Sequence, residues 1–326
     1  MKAGVIEHLN KAQERMLSPF ERIMDRPTKR DFAQKVDRLE DLDPVVCQAL
    51  QAALGPGEEV LTLIKVPSQF IDEEQKKETR RFFFSIRRIL TPEWVLALTG
   101  KRLLLAAVSE PGAVPVLFSL PFENILSFQR GSVLLFSWIE FRVVQDGQLK
   151  RTRIYYNTVS SPLFEDLSSS VRGFINAQNG RAAMSEEGNG QFLQPLNFKF
   201  KNLISLYLLM PGEEIQAIIF RPSMWNKGLS FFRRHVAANL AVVTSDSYFM
   251  LVEENLSEAK TNYGMIYSYF PLHSVKGLSV YAEEEKLELV VSMQLRDVEQ
   301  EVRVVFPPEC ENEVRSFAAE FKRKSG

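Results

Sequence analysis

The sequence has few of the side chains that carry most enzyme chemistry. It contains three histidines and two cysteines in 326 residues. His8, His235 and His273 fall in different expected elements, and no pair has the spacing of a metal-binding helix or hairpin. Cys47 and Cys310 have no Cys-x-x-Cys partner and both sit in segments that read as helical, so a disulfide framework has no support. Gly-x-Gly-x-x-Gly, phosphate-loop and Gly-x-Ser-x-Gly motifs are all missing. These gaps point to a protein with no catalytic residues, no metal and no cofactor.

Charge of one sign is also lacking. The 40 basic and 41 acidic residues leave a net charge of −1, which argues against a nucleic-acid binder, since engaging phosphates normally takes a strongly basic domain. No apolar run approaches the roughly 20 residues that span a bilayer. The N-terminus has no apolar segment ending in a small-residue cleavage site, because Glu7, His8, Asn10 and Lys11 interrupt it. The expected location is cytoplasmic, with room for peripheral membrane contact.

What the chain does have is a phrase that occurs twice. Pro56-Gly57-Glu58-Glu59 and Pro211-Gly212-Glu213-Glu214 each close an apolar run and open an alternating one. Ile64, Pro67 and Ser68 keep step with Ile219, Pro222 and Ser223, at the same offset of 155. A duplicated segment fixes the architecture before any element is assigned, and the length suits two domains of about 150 residues. Hydrophobic content of 45% and charged content of 25% are ordinary for a globular core.

Four regions follow. Residues 1–54 read as short helices: Val5, Leu9, Ala12 and Met16 share one helical face, Ser18-Pro19 and Asp43-Pro44 are cap-then-proline starts, and Thr28 would cap a helix carrying Phe32, Val36 and Leu39. Residues 55–178 read as seven strands and a closing helix. They include a hairpin around Thr99-Gly100-Lys101, strands joined through Arg130-Gly131-Ser132, a turn at Asp146-Gly147, and a helix from Ser161-Pro162 with Phe164, Leu167, Val171 and Phe174 on one stripe. Residues 179–196, rich in glycine and small polar side chains over 179–191, read as a flexible linker. Residues 197–326 repeat the order, with a leading helix over Phe198 to Met210, a hairpin at Ser245-Asp246, a strand ending at Pro271 and a last helix near Glu309. Thr244 falls at the place of Thr99.

Three motifs carry a family likeness: Leu98-Thr99-Gly100-Lys101-Arg102-Leu103-Leu104, Leu120-Pro121-Phe122-Glu123-Asn124-Ile125, and the closing helix. Together with their counterparts Val243-Thr244-Ser245-Asp246-Ser247-Tyr248 and Phe270-Pro271-Leu272-His273-Ser274-Val275, they resemble the pleckstrin-homology-like (PH-like) superfamily, nearest its bacterial PH-like and GRAM-like domains. The resemblance implies a mainly β fold with α. It would hold two seven-stranded sandwiches or partly open barrels, each capped by a C-terminal helix, behind an N-terminal α-helical segment. Across that superfamily such domains bind lipids, peptides or proteins, and no catalysis is implied.

The candidate contacts lie after the first strand of each copy. Arg80, Arg81, Arg87 and Arg88 in the first, and Lys227, Arg233 and Arg234 in the second, are interleaved with aromatics including Phe83 and Phe232. Arginine suits phosphate because its planar fork donates two bonds at once. Phenylalanine beside basic residues suits an anionic membrane surface, while Phe, Trp and Arg together also suit protein docking. The same residues fit an arrangement with the phenylalanines in the core and the arginines on a solvated rim. The chain reads first as a protein-binding or self-associating scaffold, second as a binder of anionic lipid headgroups, and last as an enzyme of unrecognised class. The doubled glutamates read as solubilising residues at a strand edge.

Overall fold

A computed structural model describes residues 32–75, 85–133, 136–178, 189–225, 235–254, 264–283 and 286–325. The fold is mainly β, built of antiparallel sheets with a few helices. In the first half β1 (Gln34–Val36), helix α1 (Pro44–Ala53) and β2 (Val60–Val66) are followed by a hairpin, β3 (Phe70–Gln75) and β4 (Ser85–Leu90). Next come β5 (Glu93–Thr99), β6 (Arg102–Val108), β7 (Val116–Pro121), β8 (Ile125–Val133), β9 (Phe136–Gln145), β10 (Gln148–Asn157) and helix α2 (Ser161–Gln178). The second half begins with the short helices α3 (Gly190–Leu193) and α4 (Phe198–Leu203), the latter running into a π-helical turn at Ile204–Leu208. It continues through β11 (Ile215–Arg221), β12 (Met224–Trp225), β13 (His235–Ala237), β14 (Leu240–Ser245), β15 (Tyr248–Glu254) and β16 (Gly264–Pro271). It closes with β17 (Val275–Glu283), β18 (Lys286–Leu295), β19 (Val298–Phe306) and helix α5 (Glu311–Ser325).

The halves are joined by hydrogen-bonded strands. One seven-stranded sheet runs β10-β9-β8-β16-β15-β14-β11, so the last three strands of the first half continue into the first four large strands of the second. The junction is the antiparallel pair β8 and β16, in a register that sets Gly264 against Val133, Tyr267 against Arg130 and Tyr269 against Phe128. The remaining large sheets are β1-β2-β5-β6-β7 in the first half and β17-β18-β19 in the second.

Helix α1 shows why the local sequence folds as it does. Asp43 accepts a hydrogen bond from the Val45 amide at 2.9 Å, and Pro44 at the first helical position gives up no needed donor. Val46 and Leu50 then fall four residues apart and pack with Leu63, Val95, Ala97 and Leu104 of the sheet. In the second half Asn197 caps α4 by accepting from the Phe200 amide at 3.0 Å. Phe200, Ile204 and Leu208 again fall at fourfold spacing, buried beside Ala241, Val243 and Met250. A helix therefore covers one face of each four-stranded group; Phe164, Leu167 and Val171 of α2 enter the same core as α4, and Val314 and Phe317 of α5 enter a second.

Several elements differ from the sequence expectation. Gln34–Val36 is a strand paired with β2, and Leu39–Asp41 is a 3-10 turn, where a third helix was expected. Arg130-Gly131-Ser132 is not a turn: it lies inside β8. The glycine is needed because a Cβ there would stand 2.1 Å from Cζ2 of Trp138. Cys47 is in α1 as expected, while Cys310 ends a 3-10 turn just before α5. Residues 1–31, with Val5, Leu9, Ala12, Met16, Ser18, Pro19 and Thr28, lie outside the described residues, as does most of the 179–191 segment.

Candidate functional site

The twice-used Pro-Gly-Glu-Glu phrase builds the same device twice. The glycine takes the left-handed backbone that the turn requires, with φ of 69° at Gly57 and 78° at Gly212. The first glutamate then folds back. Glu58 Oε2 accepts from the Gly55 amide at 2.9 Å and Oε1 accepts from the Thr99 hydroxyl at 2.7 Å. Glu213 Oε2 accepts from the Met210 amide at 2.9 Å and Oε1 accepts from the Ser245 hydroxyl at 2.5 Å. The counterpart of Thr99 in the second hairpin is therefore Ser245 and not Thr244, whose hydroxyl donates instead to the Ala217 carbonyl. The expectation of solubilising glutamates is also corrected, since the side chains of Glu58 and Glu213 are only 4% and 3% exposed. A buried carboxylate persists only when fully partnered.

The cation that completes each device differs. Glu58 is met from its own half by Arg102, which donates from Nε at 2.9 Å and from Nη2 at 2.6 Å, and also reaches the Ala53 carbonyl at the end of α1 at 2.8 Å. The bonds from Arg102, with those of Gly55 and Thr99, hold the Glu58 carboxyl down at about 2 against the opposing effect of burial. At the corresponding hairpin position the second half has Tyr248, and the cation comes from the first half: Arg172 of α2 donates to Glu213. Its other Nη donates to the Leu208 carbonyl at 2.5 Å, and the guanidinium lies over the rings of Tyr248 and Tyr269 at 4.8 and 4.7 Å. Burial works against the Arg172 charge, but Glu213 and the two rings outweigh it and the pKa is raised.

The two halves also meet on the opposite face of the long sheet. Gln129 of β8 donates to the Ser268 hydroxyl of β16 at 3.0 Å, directly across the junction. Next to it Glu140, fully buried, is ringed by Arg142, Arg151 and Arg153. Burial alone would raise the Glu140 pKa, and the three guanidinium groups hold it down instead. Across the cleft Arg221 donates to the carbonyls of Ala238 at 2.8 Å and Val305 at 3.1 Å and to Glu253 at 3.1 Å. Burial pushes Glu253 up and Arg221 down, and their mutual attraction offsets this only in part. The space between these groups is about 210 Å³, below the roughly 300 Å³ at which small-molecule pockets begin. Chemically this face fastens strands and carries an excess of positive charge, with three arginines on Glu140 and one on Glu253. Among the described residues no group of three or more His, Cys, Asp or Glu side chains could hold a metal ion, and no helix is long and apolar enough to cross a membrane.

The residues singled out from sequence are mostly elsewhere. Arg80, Arg81, Phe83, Lys227, Phe232, Arg233 and Arg234 lie outside the described residues. Arg87 and Arg88 fall in β4, where the backbone register sets them opposite Glu73 and Asp72 of β3. These two arginines thus lie on one strand of a hairpin whose other strand carries Asp72, Glu73 and Glu74. Sequence reasoning missed Arg172 and Glu140. Alternation puts Glu140 on the strand face opposite Ile139 and Phe141, which hides its burial, and Arg172 is a lone charge beside the stripe of Val171. Comparison with known protein families and with characterised proteins finds no match to this chain.

Proposed function

We propose that the chain is a tandem of two PH-like units that works as a binding and assembly protein, not as a catalyst. The duplication is supported by the paired glutamate devices and by the common element order: a covering helix, four large strands, three strands and a closing helix. The observation that carries the assembly reading is the β8–β16 junction. Among the described residues β7 and β17 are end strands of their sheets, whereas their counterparts β16 and β8 pair one unit with the other. Exposed Phe198, Leu206 and Tyr207, at 79%, 69% and 47% exposure, add apolar contact surface on the covering helix of the second unit. The acidic strand facing Arg87 and Arg88 weakens the anionic-lipid reading, because opposed charges reduce the net attraction to a membrane.

The test is light scattering of the purified chain over a wide concentration range, alongside flotation with vesicles rich in anionic lipid. The proposal expects a mass that rises above the 37.3 kDa monomer and no flotation. A fixed monomer that floats with the vesicles would replace assembly with lipid binding.

A further inference from the structure

Among the described residues the counterparts of the two junction strands each lack a strand neighbour on one side. By the 150-residue offset that relates Pro121 to Pro271, the counterpart of β16 is β7 and the counterpart of β8 is β17. Among the described residues β7 is the last strand of its sheet and β17 the first of its own. Their burial follows. Seven of the nine β8 residues and seven of the eight β16 residues are buried. None of the nine in β17 and only one of the six in β7 is buried.

We propose that β17 of one molecule pairs with β7 of a second copy, repeating between chains the β8–β16 junction within the chain and growing head to tail. This rests on the assembly reading above and names its partner and register. Transferring the observed register by that offset sets Val116 against Tyr281, Leu117 against Val280, Phe118 against Ser279 and Ser119 against Leu278. The chemistry of these pairs suits a junction. Leu117 and Tyr281 are 37% and 56% exposed, and each would gain an apolar neighbour. No charged residue lies in β7, although charge is the usual guard of a free edge. Pro115 and Pro121 bracket the strand and confine pairing to its middle, which makes the contact short and reversible. The interface is heterologous, so it produces a head-to-tail chain or ring and not an isologous dimer. Helix α5 packs along β17 and β11 and must leave the outer edge of β17 accessible for the pairing to form.

The experiment compares wild type with Tyr281→Lys and Leu117→Lys by sedimentation velocity across concentration, after thermal melting has shown that both variants fold as wild type does. The expected result is association in wild type, weakened at least tenfold in each variant. In parallel, Leu117→Cys and Val280→Cys chains are mixed under mild oxidation. They should crosslink more than a Leu117→Cys and Tyr281→Cys mixture, whose register is off by one. Association that neither lysine weakens, with no preference between the crosslinks, would overturn the edge pairing and leave assembly by another surface. A wild-type monomer at every concentration would overturn the edge pairing together with the self-association part of the function reading, and would mean that α5 closes the β17 edge.

Discussion

Glu58 and Glu213 occupy the same turn, accept from the same kinds of donor, and differ in who supplies the cation. In the first half the supplier is Arg102, three residues along the hairpin from Thr99 and partly exposed at 24%. In the second half it is Arg172, 3% exposed and carried by a helix of the other half. One pair is local and wet at its edge; the other is buried and holds the two halves together. The second half therefore relies on the first for a charge it does not carry at its own hairpin.

Removing the distant cation should have the largest effect. Arg172→Leu leaves Glu213 buried without its partner, a change that typically costs about 3–5 kcal/mol. Arg102→Leu, at a pair whose arginine is partly exposed, should cost about 1.5–3 kcal/mol. Urea unfolding followed by tryptophan fluorescence gives both values. Adding Tyr248→Arg to Arg172→Leu supplies the second half with an arginine at the Arg102 position and should recover part of the loss. No recovery would show that Arg172 acts through packing against the two tyrosines and not through its charge.

Next in size is the glycine contrast. Gly131→Ala drives a methyl into Trp138 and should cost about 1–3 kcal/mol by overpacking. At the counterpart position on the free strand, Tyr281→Ala should change monomer stability by less than about 0.5 kcal/mol. Thermal melts at low concentration measure the pair, and equal losses would contradict the contrast between an occupied and an open edge.

Much of this fold was legible in the sequence. Asp43-Pro44 announced α1, Thr99-Gly100 and Asp146-Gly147 announced hairpins, and Ser161-Pro162 announced α2, because in each case the signal and the structure it causes are a few residues apart. The doubled glutamates announced a turn but hid their burial, since a carboxylate sequestered by a distant arginine looks like any surface acid. Gly131 was misread because a glycine required by a ring lying across the backbone is indistinguishable from one required by a turn. The expected helix at Phe32, Val36 and Leu39 gave way to a strand because β2 offers an edge that the local spacing does not reveal. The β8–β16 junction pairs residues from opposite halves, and no local pattern carries it.

A smaller effect separates the halves in acid. The Glu58 carboxyl is held at about 2 in the folded protein from an ordinary 4.5. A lowered pKa means that its stabilisation is fully present above about 4.5 and is lost as pH falls toward 2. Glu58→Gln should therefore flatten the fall in stability across that window. Unchanged steepness would mean that Glu58 is not the group being titrated. Smaller again, Asp43→Ala removes the cap of α1 and should cost about 1 kcal/mol, read by the same unfolding measurement.

The continuity of the sheet across the two halves is tested most directly by amide hydrogen exchange on the dilute monomer. Amides of β8 and β16 that bond across the junction should exchange as slowly as those of β5 and β14 in the sheet interiors. The outward amides of β7 and β17 should exchange far faster. Fast exchange along β8 and β16, matching the free edges, would mean that the halves are not joined by paired strands, and the account built on that junction would fail.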